Sequence, residues 1–324
     1  MNERRFFLIS FALAASALCG HSLAQNYPDR PVKLIVPFAP GGATDILGRL
    51  LATALTDKLG QSVIVENKPG AGTALAASAV AKMPADGYNL LLASSSTLTL
   101  NPVVRQNLGY DPVASFTPIG QVADMGLVLV ANTNTPGSTL KDVLANSKAE
   151  PGKYAYGSFG AGSSVHFAGE MLKSVSGADL MHVPFNGSAP SLTALIGGQV
   201  QVAVDTVVAS TPFVKSGKIK AISVLSPARS PLMPDVPTVA ESGYPGFEMS
   251  TWFALMTPAN LPVPIRTRLE AALASVMASP DLRKKLNDLG LIPAYAPGAS
   301  VKTRIEKDLP FMRAVAARTG LKVE

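Results

Sequence analysis

The sequence predicts an α/β fold in layers, with largely parallel sheets flanked by helices. Short apolar runs alternate with segments of helical periodicity along the chain, the pattern of strands joined by crossover helices. A strand, a glycine-rich loop and a helix start occur together in the first half and again in the second. Two such loops are placed to face one another across a cleft. Between them, Phe116 to Ala131 reads as one long strand region with Asp124 and Gly126 in its middle, read as crossing from one lobe to the other.

Residues 1–24 are read as an export signal. Arg4-Arg5 form a basic start, Phe6 to Cys19 an apolar stretch too short to span a bilayer, and Ser22-Leu23-Ala24 a cleavage site after Ala24. The order Arg4-Arg5-Phe6-Phe7-Leu8 resembles a twin-arginine signal, with ordinary Sec export as the alternative. Cys19 is the only cysteine, and Ser16-Ala17-Leu18 before it make a poor lipoprotein box. The mature chain is therefore expected to hold no disulfide, thiolate or cysteine-ligated metal, which for an exported protein suggests a bacterial periplasm. No later apolar run is long enough for a membrane span.

The first unit runs from Pro31 to Gly60. Val32 to Val36 is a buried strand and Pro40-Gly41-Gly42 a tight loop. Ile46, Leu47, Leu50, Leu51, Ala54 and Leu55 then recur at helical spacing before Gly60, a C-terminal cap. Such a unit aims unpaired main-chain N–H groups and the positive end of a helix dipole at one spot, which suits an anion or a carbonyl oxygen. Any tight strand-to-helix turn also needs glycine, so the loop alone carries either reading. No Gly-Lys-Ser/Thr follows Gly42, which excludes a P-loop. Ser62 to Glu66 is a second strand, followed by a loop to Gly72 and a helix from about Thr73 to Lys82. Leu75 stands where the third glycine of a dinucleotide-binding pattern belongs, so that match fails. After the Asp86-Gly87 turn, Leu90 to Ala93 is a strand ending in Ser94-Ser95-Ser96-Thr97, hydroxyls that either cap a helix or meet a ligand.

Beyond the central strand, Ser138 is the expected cap of a helix that Pro151-Gly152 closes. Tyr154 to Tyr156 is a short strand leading into Gly157-Ser158-Phe159-Gly160-Ala161-Gly162-Ser163, with Ser163 as N-cap of a helix through Phe167, Met171 and Leu172. Val183-Pro184-Phe185-Asn186-Gly187-Ser188 turns into a helix ending at Gly197-Gly198. Val200 to Val204 is a strand with Asp205 at its end, and Ile219 to Leu225 is another. Pro227 to Pro245 is proline-rich and irregular, suited to a return linker. Thr251 to Met256 is read as the last strand, before helices over Pro264 to Ala278, Asp281 to Leu289 and Ser300 to Thr319.

Composition narrows the function. Of 324 residues 47% are hydrophobic and 15% charged, enough for one large domain or two lobes. The net charge of +6 comes from scattered residues, densest at Arg283-Lys284-Lys285, and aromatics are sparse, which argues against nucleic acid. No Gly-x-Ser-x-Gly occurs, and His166 and His182 are too far apart in sequence for a helical zinc motif. His166 reads either as a neutral, internally bonded histidine in the first turn of a helix or as a ligand contact. Asp45 reads as a first-turn acid or a ligand contact, Asp205 as a ligand contact or a hinge residue. Glycine and hydroxyl loops without a nucleophile–base pair, metal set or cofactor fingerprint describe a binding protein.

Specific motifs carry a resemblance. Tyr27-Pro28-Asp29-Arg30-Pro31, then Val36-Pro37-Phe38-Ala39-Pro40-Gly41-Gly42 with Asp45, is similar to the tripartite tricarboxylate transporter receptor family, also called Bug proteins. So are Glu66-Asn67-Lys68-Pro69-Gly70-Ala71-Gly72, Pro84-Ala85-Asp86-Gly87-Tyr88, Gly160-Ala161-Gly162-Ser163 with His166, and Pro234-Asp235-Val236-Pro237-Thr238. The resemblance covers essentially the whole mature chain. It implies a periplasmic binding protein of two α/β lobes, a type II-like Venus flytrap with mixed sheets flanked by helices, that delivers its ligand to the large and small membrane subunits of a transporter. It also implies that a carboxylate is held by the Phe38-to-Asp45 loop in one lobe and the Gly157-to-Ser163 loop in the other, with Ser94 to Thr97 and Asn186 to Ser188 at the sides.

The expected site is therefore Phe38, Pro40, Gly41, Gly42, Asp45, Ser94, Ser96, Thr97, Ser158, Gly160, Gly162, Ser163, His166, Asn186, Gly187 and Asp205. Lobe 1 is expected over 25–125 and 250–324, lobe 2 over 126–249 with the return linker at about 227–249. A monomer without cofactor or metal is expected. Two other readings remain: a ligand sensor for a two-component system, and a secreted hydrolase using Asp45, His166 and Asp205.

Overall fold

The structure, a computed structural model, describes residues 27–322, so the export signal lies outside the described residues. Strand β1 (Val32–Val36) feeds helix α1 (Ala43–Leu59), whose Leu47, Leu51, Leu55 and Leu59 form the buried face. Gly60 closes α1 in the left-handed conformation, φ 74°, returning its N–H to the Thr56 carbonyl, as the sequence predicts. Strand β2 (Val63–Asn67) leads through a 3₁₀ turn (Ala71–Thr73) to α2 (Ala74–Val80), and β3 (Asn89–Ser94) follows. Strands β2, β1 and β3 are parallel neighbours.

Strand β4 (Phe116–Asn132) joins the two halves of the molecule. Residues Phe116 to Gly126 pair with β9 (Ser250–Pro258), and Gly120 to Met125 also pair with β10 (Leu291–Pro297). From Leu127 onward the same strand pairs with β7 (Val202–Thr206) and β8 (Ile219–Val224). Strand β5 (Ala155–Ser158) lies parallel between β7 and β6 (Met181–Pro184). The expectation of largely parallel sheets is corrected: β4 and β9 run antiparallel to their neighbours, and each half-sheet is mixed.

Each half buries its own core. Leu34, Leu90 and Leu92 of the first half-sheet pack against α1, α8 (Val263–Ala278) and α9 (Pro280–Asp288). Leu129, Val202 and Val204 of the second pack against Tyr156 and against Phe167 and Leu172 of α5 (Ser164–Ser176). Helix α10 (Gly298–Thr319) touches both: Val301 and Ile305 sit in a cluster with Trp252 and Phe116, whereas Val315 and Ala316 pack into the core of the second half. Its Arg304 reaches Asp124 of β4 at 3.0 Å and stacks on Trp252 at 4.6 Å, tying α10 to the crossing strand.

Local readings need four corrections. Helix α4 (Leu140–Ala149) is capped by Thr139, one residue past Ser138, in a reciprocal capping box with Asp142. A π-helical turn (Ser96–Leu100) and the short α3 (Asn101–Val104) follow β3 where no helix was read. β7 runs over Val202–Thr206, so Asp205 lies within the strand rather than just beyond it. Thr251 to Met256 is not the last strand: β10 comes later, its two prolines having hidden it, since proline cannot donate to a strand ladder. Between β8 and β9 the proline-rich stretch is irregular apart from a bridge between Val224 and Thr238.

Candidate functional site

Four loops meet where the halves face each other. The first follows β1. Asp45 accepts hydrogen bonds from the Gly41 amide (3.1 Å), the Arg49 Nε (2.9 Å) and the Asn67 amide group (2.9 Å), which also donates to the Phe38 carbonyl. Burial pushes the Asp45 carboxyl up, but these donors outweigh it and hold it below the usual carboxylate range. Asp45 thus braces the Phe38-to-Gly42 loop.

The second is the hydroxyl run after β3. Thr97 donates to the Thr73 hydroxyl at 3.0 Å and accepts from the Ser94 amide. The Ser95 and Thr251 hydroxyls share a bond of 2.9 Å. Ser94 is 1% exposed and its Oγ has no hydrogen-bond partner among the described residues. A buried hydroxyl left alone costs about 1–3 kcal/mol, which a ligand oxygen would recover.

The third loop lies between β5 and α5. Gly160 (φ 110°) and Gly162 (φ 85°) take the left-handed region, which favours glycine. Ser163 caps α5, accepting from the His166 amide and donating to the Gly160 carbonyl. The Gly162 amide donates to His166 Nδ1 at 3.0 Å, which leaves Nε2 as the protonated nitrogen of a neutral ring. His166 stacks on His182 with centroids 3.9 Å apart, and His182 Nε2 lies 2.6 Å from the Ser158 hydroxyl. Burial lowers His166 to about 4 and His182 to about 3, the latter also repelled by His166.

The fourth loop precedes α6 (Ser188–Ile196). Gly187 (φ 138°) lies against Ala39, and Ser188 donates to both oxygens of Asp205 at 2.8 and 2.9 Å. Burial raises the fully enclosed Asp205 to about 7, against the bonds from Ser188 and Thr206.

Direct contacts close the halves on one another. The Ala39 amide donates to the Asn186 carbonyl (3.0 Å), and the Ser164 amide to Ser96 Oγ (2.8 Å). The rings of Phe38 and Phe159 meet edge to face at 5.8 Å. They border a narrow space of about 10 Å³ lined by Phe38, Thr44, Ser94, Ser96, Phe159, Ser164, Thr206, Thr251 and Phe253. Thr44 lies in the first turn of α1, Ser164 begins α5, and Thr206 caps α7 (Val207–Lys215). Three helix N-termini therefore converge on a space with no charged side chain in its wall. Their partial positive charges favour an anion.

Of the expected site residues, Phe38, Ser94 and Ser96 line this cavity. Pro40, Gly41, Gly42, Asp45, Thr97, Ser158, Gly160, Gly162, Ser163, His166, Asn186, Gly187 and Asp205 are not among its wall residues. Sequence reasoning missed Thr44, Phe159, Ser164, Thr206, Thr251 and Phe253 as wall residues. Four were one step away, Thr44 beside Asp45, Phe159 between Ser158 and Gly160, Ser164 beside Ser163 and Thr206 beside Asp205, and Phe253 is the register partner of Ser94. Larger clefts border the hinge strands and α10, but their Arg304 and Arg229 are paired with Asp124 and Glu241.

The three groups of the hydrolase reading are each held by other partners, Asp45 by Arg49, His166 by Gly162 and Asp205 by Ser188. Among the described residues no group of histidine, cysteine and acidic side chains could hold a metal, and no helix is long and apolar enough to cross a membrane.

Two α/β halves joined through the shared strand β4 and closed over such a crevice define a solute-binding protein. The chain matches the model of the tripartite tricarboxylate transporter family receptor over residues 47–315. It is 34% identical over 326 residues to Protein BugT of Bordetella pertussis, covering 100% of both chains. The fold is similar to that of the periplasmic binding protein BugD, with TM-score 0.88 and 34% identity over 92% of this chain and 100% of that one. It is equally similar to Rpa4515 of R. palustris, solved with adipate: TM-score 0.88 and 33% identity over 91% of this chain and 99% of that one. The chain belongs to the tripartite tricarboxylate transporter receptor family, Bug type. It is a periplasmic solute-binding receptor and not an enzyme.

Proposed function

We propose that this receptor captures a small carboxylate in the crevice between its halves and delivers it to the large and small membrane subunits of a tripartite tricarboxylate transporter. The observation that carries this reading is the convergence of three helix N-termini, with the unpartnered Ser94 hydroxyl, on a cavity whose wall bears no charge. Amides and hydroxyls hold a carboxylate there without transforming it. The adipate of the similar Rpa4515 structure supports the same ligand class.

Capture precedes closure. Residues 25–125 and 250–324 form one lobe and 126–249 the other, with 227–249 as the return linker and the last turns of α10 laid across the second lobe. The ligand contacts wall residues from both lobes and so favours the closed state by its differential affinity for it. Residues 1–24 direct export with a twin-arginine-like start, and the mature receptor acts as a monomer.

Titration calorimetry with adipate, succinate and propionate against their neutral amides tests this. Binding of at least one acid, with its amide at least tenfold weaker, is the expected result. Equal binding of acids and amides would contradict an anion site.

A further inference from the structure

We infer that His166 is a positioning residue for closure: its neutral ring aims the Ala161–Gly162 peptide at Arg105 of the facing half, and a proton on Nδ1 undoes that aim. The inference rests on the capture-and-closure reading above and adds the group that governs release.

One peptide unit carries the argument. The Ala161 carbonyl accepts from Arg105 Nη2 across the crevice at 2.9 Å, and the Gly162 amide donates to His166 Nδ1 at 3.0 Å within its own half. These are the two ends of one trans peptide, so they point in opposite directions and a bond at one end sets the direction of the other. Gly162, at φ 85° and without a side chain, leaves the unit easy to turn, so an acceptor is needed to hold it. A chain of hydrogen bonds therefore runs from the Arg105 guanidinium through the peptide to the imidazole, each polarising the next.

The imidazole is fixed in this place. His166 is 5% exposed in the first turn of α5 and stacks on His182 of β6, whose Nε2 lies 2.6 Å from the Ser158 hydroxyl. Arg105 and Lys173 face it with positive charge. Glu170 is bonded to Lys173 and to the hydroxyl of Tyr156, which also reaches the His166 carbonyl. Burial, then the charges of Lys173 and Arg105, lower the titration of His166 to about 4. A proton on Nδ1 turns the acceptor into a donor facing the Gly162 amide, and leaves that buried amide without a partner. The peptide then turns, and the Ala161 carbonyl leaves Arg105.

Stopped-flow release of adipate, succinate or propionate, whichever of them binds the purified full chain, tests this. His166→Ala is expected to release about tenfold faster, the scale of one lost hydrogen bond to a charged group. The double variant with Arg105→Ala should release no faster than Arg105→Ala alone, because both substitutions break one linkage. His166→Asn sets Oδ1 near the place of Nδ1, an acceptor that takes no proton, and should release more slowly than the alanine variant. After a jump from pH 7 to pH 4, wild-type release should quicken by about fivefold, half of the rings being protonated there. His166→Asn should lose that response, whereas protonation of the ligand acts on both alike. Additive rates in the double variant, or equal acid responses in wild type and His166→Asn, overturn the inference and leave the carboxylate reading standing. Should His166→Ala not fold, the wild-type and asparagine pH profiles decide by themselves. If none of the three acids binds, the inference falls together with that reading.

Discussion

Arg105 donates from Nη2 to the Ala161 carbonyl across the crevice, at 2.9 Å. Its Nε holds Asn101 Oδ1 at 2.8 Å, and Asn101 donates in turn to the Gly72 carbonyl at 2.7 Å. A side chain of the first half thus fastens the Gly157-to-Ser163 loop of the second, a contact that opening the crevice would break. Removing a hydrogen bond to a charged group costs about 1.5–3 kcal/mol. Arg105→Ala is expected to speed ligand release by about tenfold or more, measured by stopped-flow. An unchanged release rate would show that the contact does not hold the closed state.

Glycine is required on both sides of this contact, for a different reason from its use in ordinary turns. A Cβ on Gly72 (φ 57°) would overlap the Ala161 carbonyl of the facing half, and one on Gly162 (φ 85°) would overlap Asn101 Oδ1. Gly42 has φ −86° and a methyl there would lie 3.2 Å from Ser188 Cβ, tight but without backbone strain. Gly72→Ala and Gly162→Ala are expected to weaken binding more than Gly42→Ala. Opening relieves the clash, so the first two should also show a larger radius of gyration by small-angle X-ray scattering in the presence of ligand. Equal affinities in all three variants would refute this ranking.

Acidity should act through the stacked histidines. His166 and His182 titrate at about 4 and about 3 in the fold, against an ordinary value of 6.5. Below pH 6.5 the unfolded chain takes up protons that the folded one refuses, so their contribution to stability is lost as pH falls from 6.5 through 4 toward 3. Asp205 opposes them: its folded carboxyl keeps a proton up to about 7 and its unfolded one loses it near 3.8, so stability falls as pH rises through that window. Asp205→Asn is expected to steepen the rise of Tm between pH 4 and 6.5 in a thermal unfolding series. Identical profiles would contradict the assigned protonation of Asp205.

Asp45 serves the site from behind. Asp45→Ala leaves the Gly41 amide and Asn67 without their acceptor, and is expected to cost about 1–3 kcal/mol of stability in urea unfolding. Ligand affinity should fall with it, because the Phe38-to-Gly42 loop loses its brace. Asp45→Asn retains one acceptor oxygen and should cost less. Full stability of the alanine variant would refute the bracing role.

Much of this molecule was legible in its sequence, because strand, glycine loop and helix start are local signals. The Gly60 and Ser163 caps and the length of β4 are of that kind. What stayed hidden depends on pairing across long separations. His166 meets His182 because β5 and β6 lie side by side, with Tyr156 in register with His182. Thr251 and Phe253 reach the crevice because β9 pairs with β3. Thr44 and Thr206 stand beside the ionisable Asp45 and Asp205, and Ser164 beside the capping Ser163, although a residue at a helix start faces whatever that helix points at. Asp45 and Asp205 attracted attention as ionisable groups, but their charge or proton is absorbed within the protein.

A crystal structure with a bound carboxylate tests the central claim most directly. The expected result is a carboxylate oxygen within hydrogen-bond distance of Ser94 Oγ and of main-chain N–H groups at the starts of α1, α5 or α7. A ligand lodged instead in the cleft behind the hinge, among Ser226 to Leu232 and Gly290 to Ile292, would contradict it.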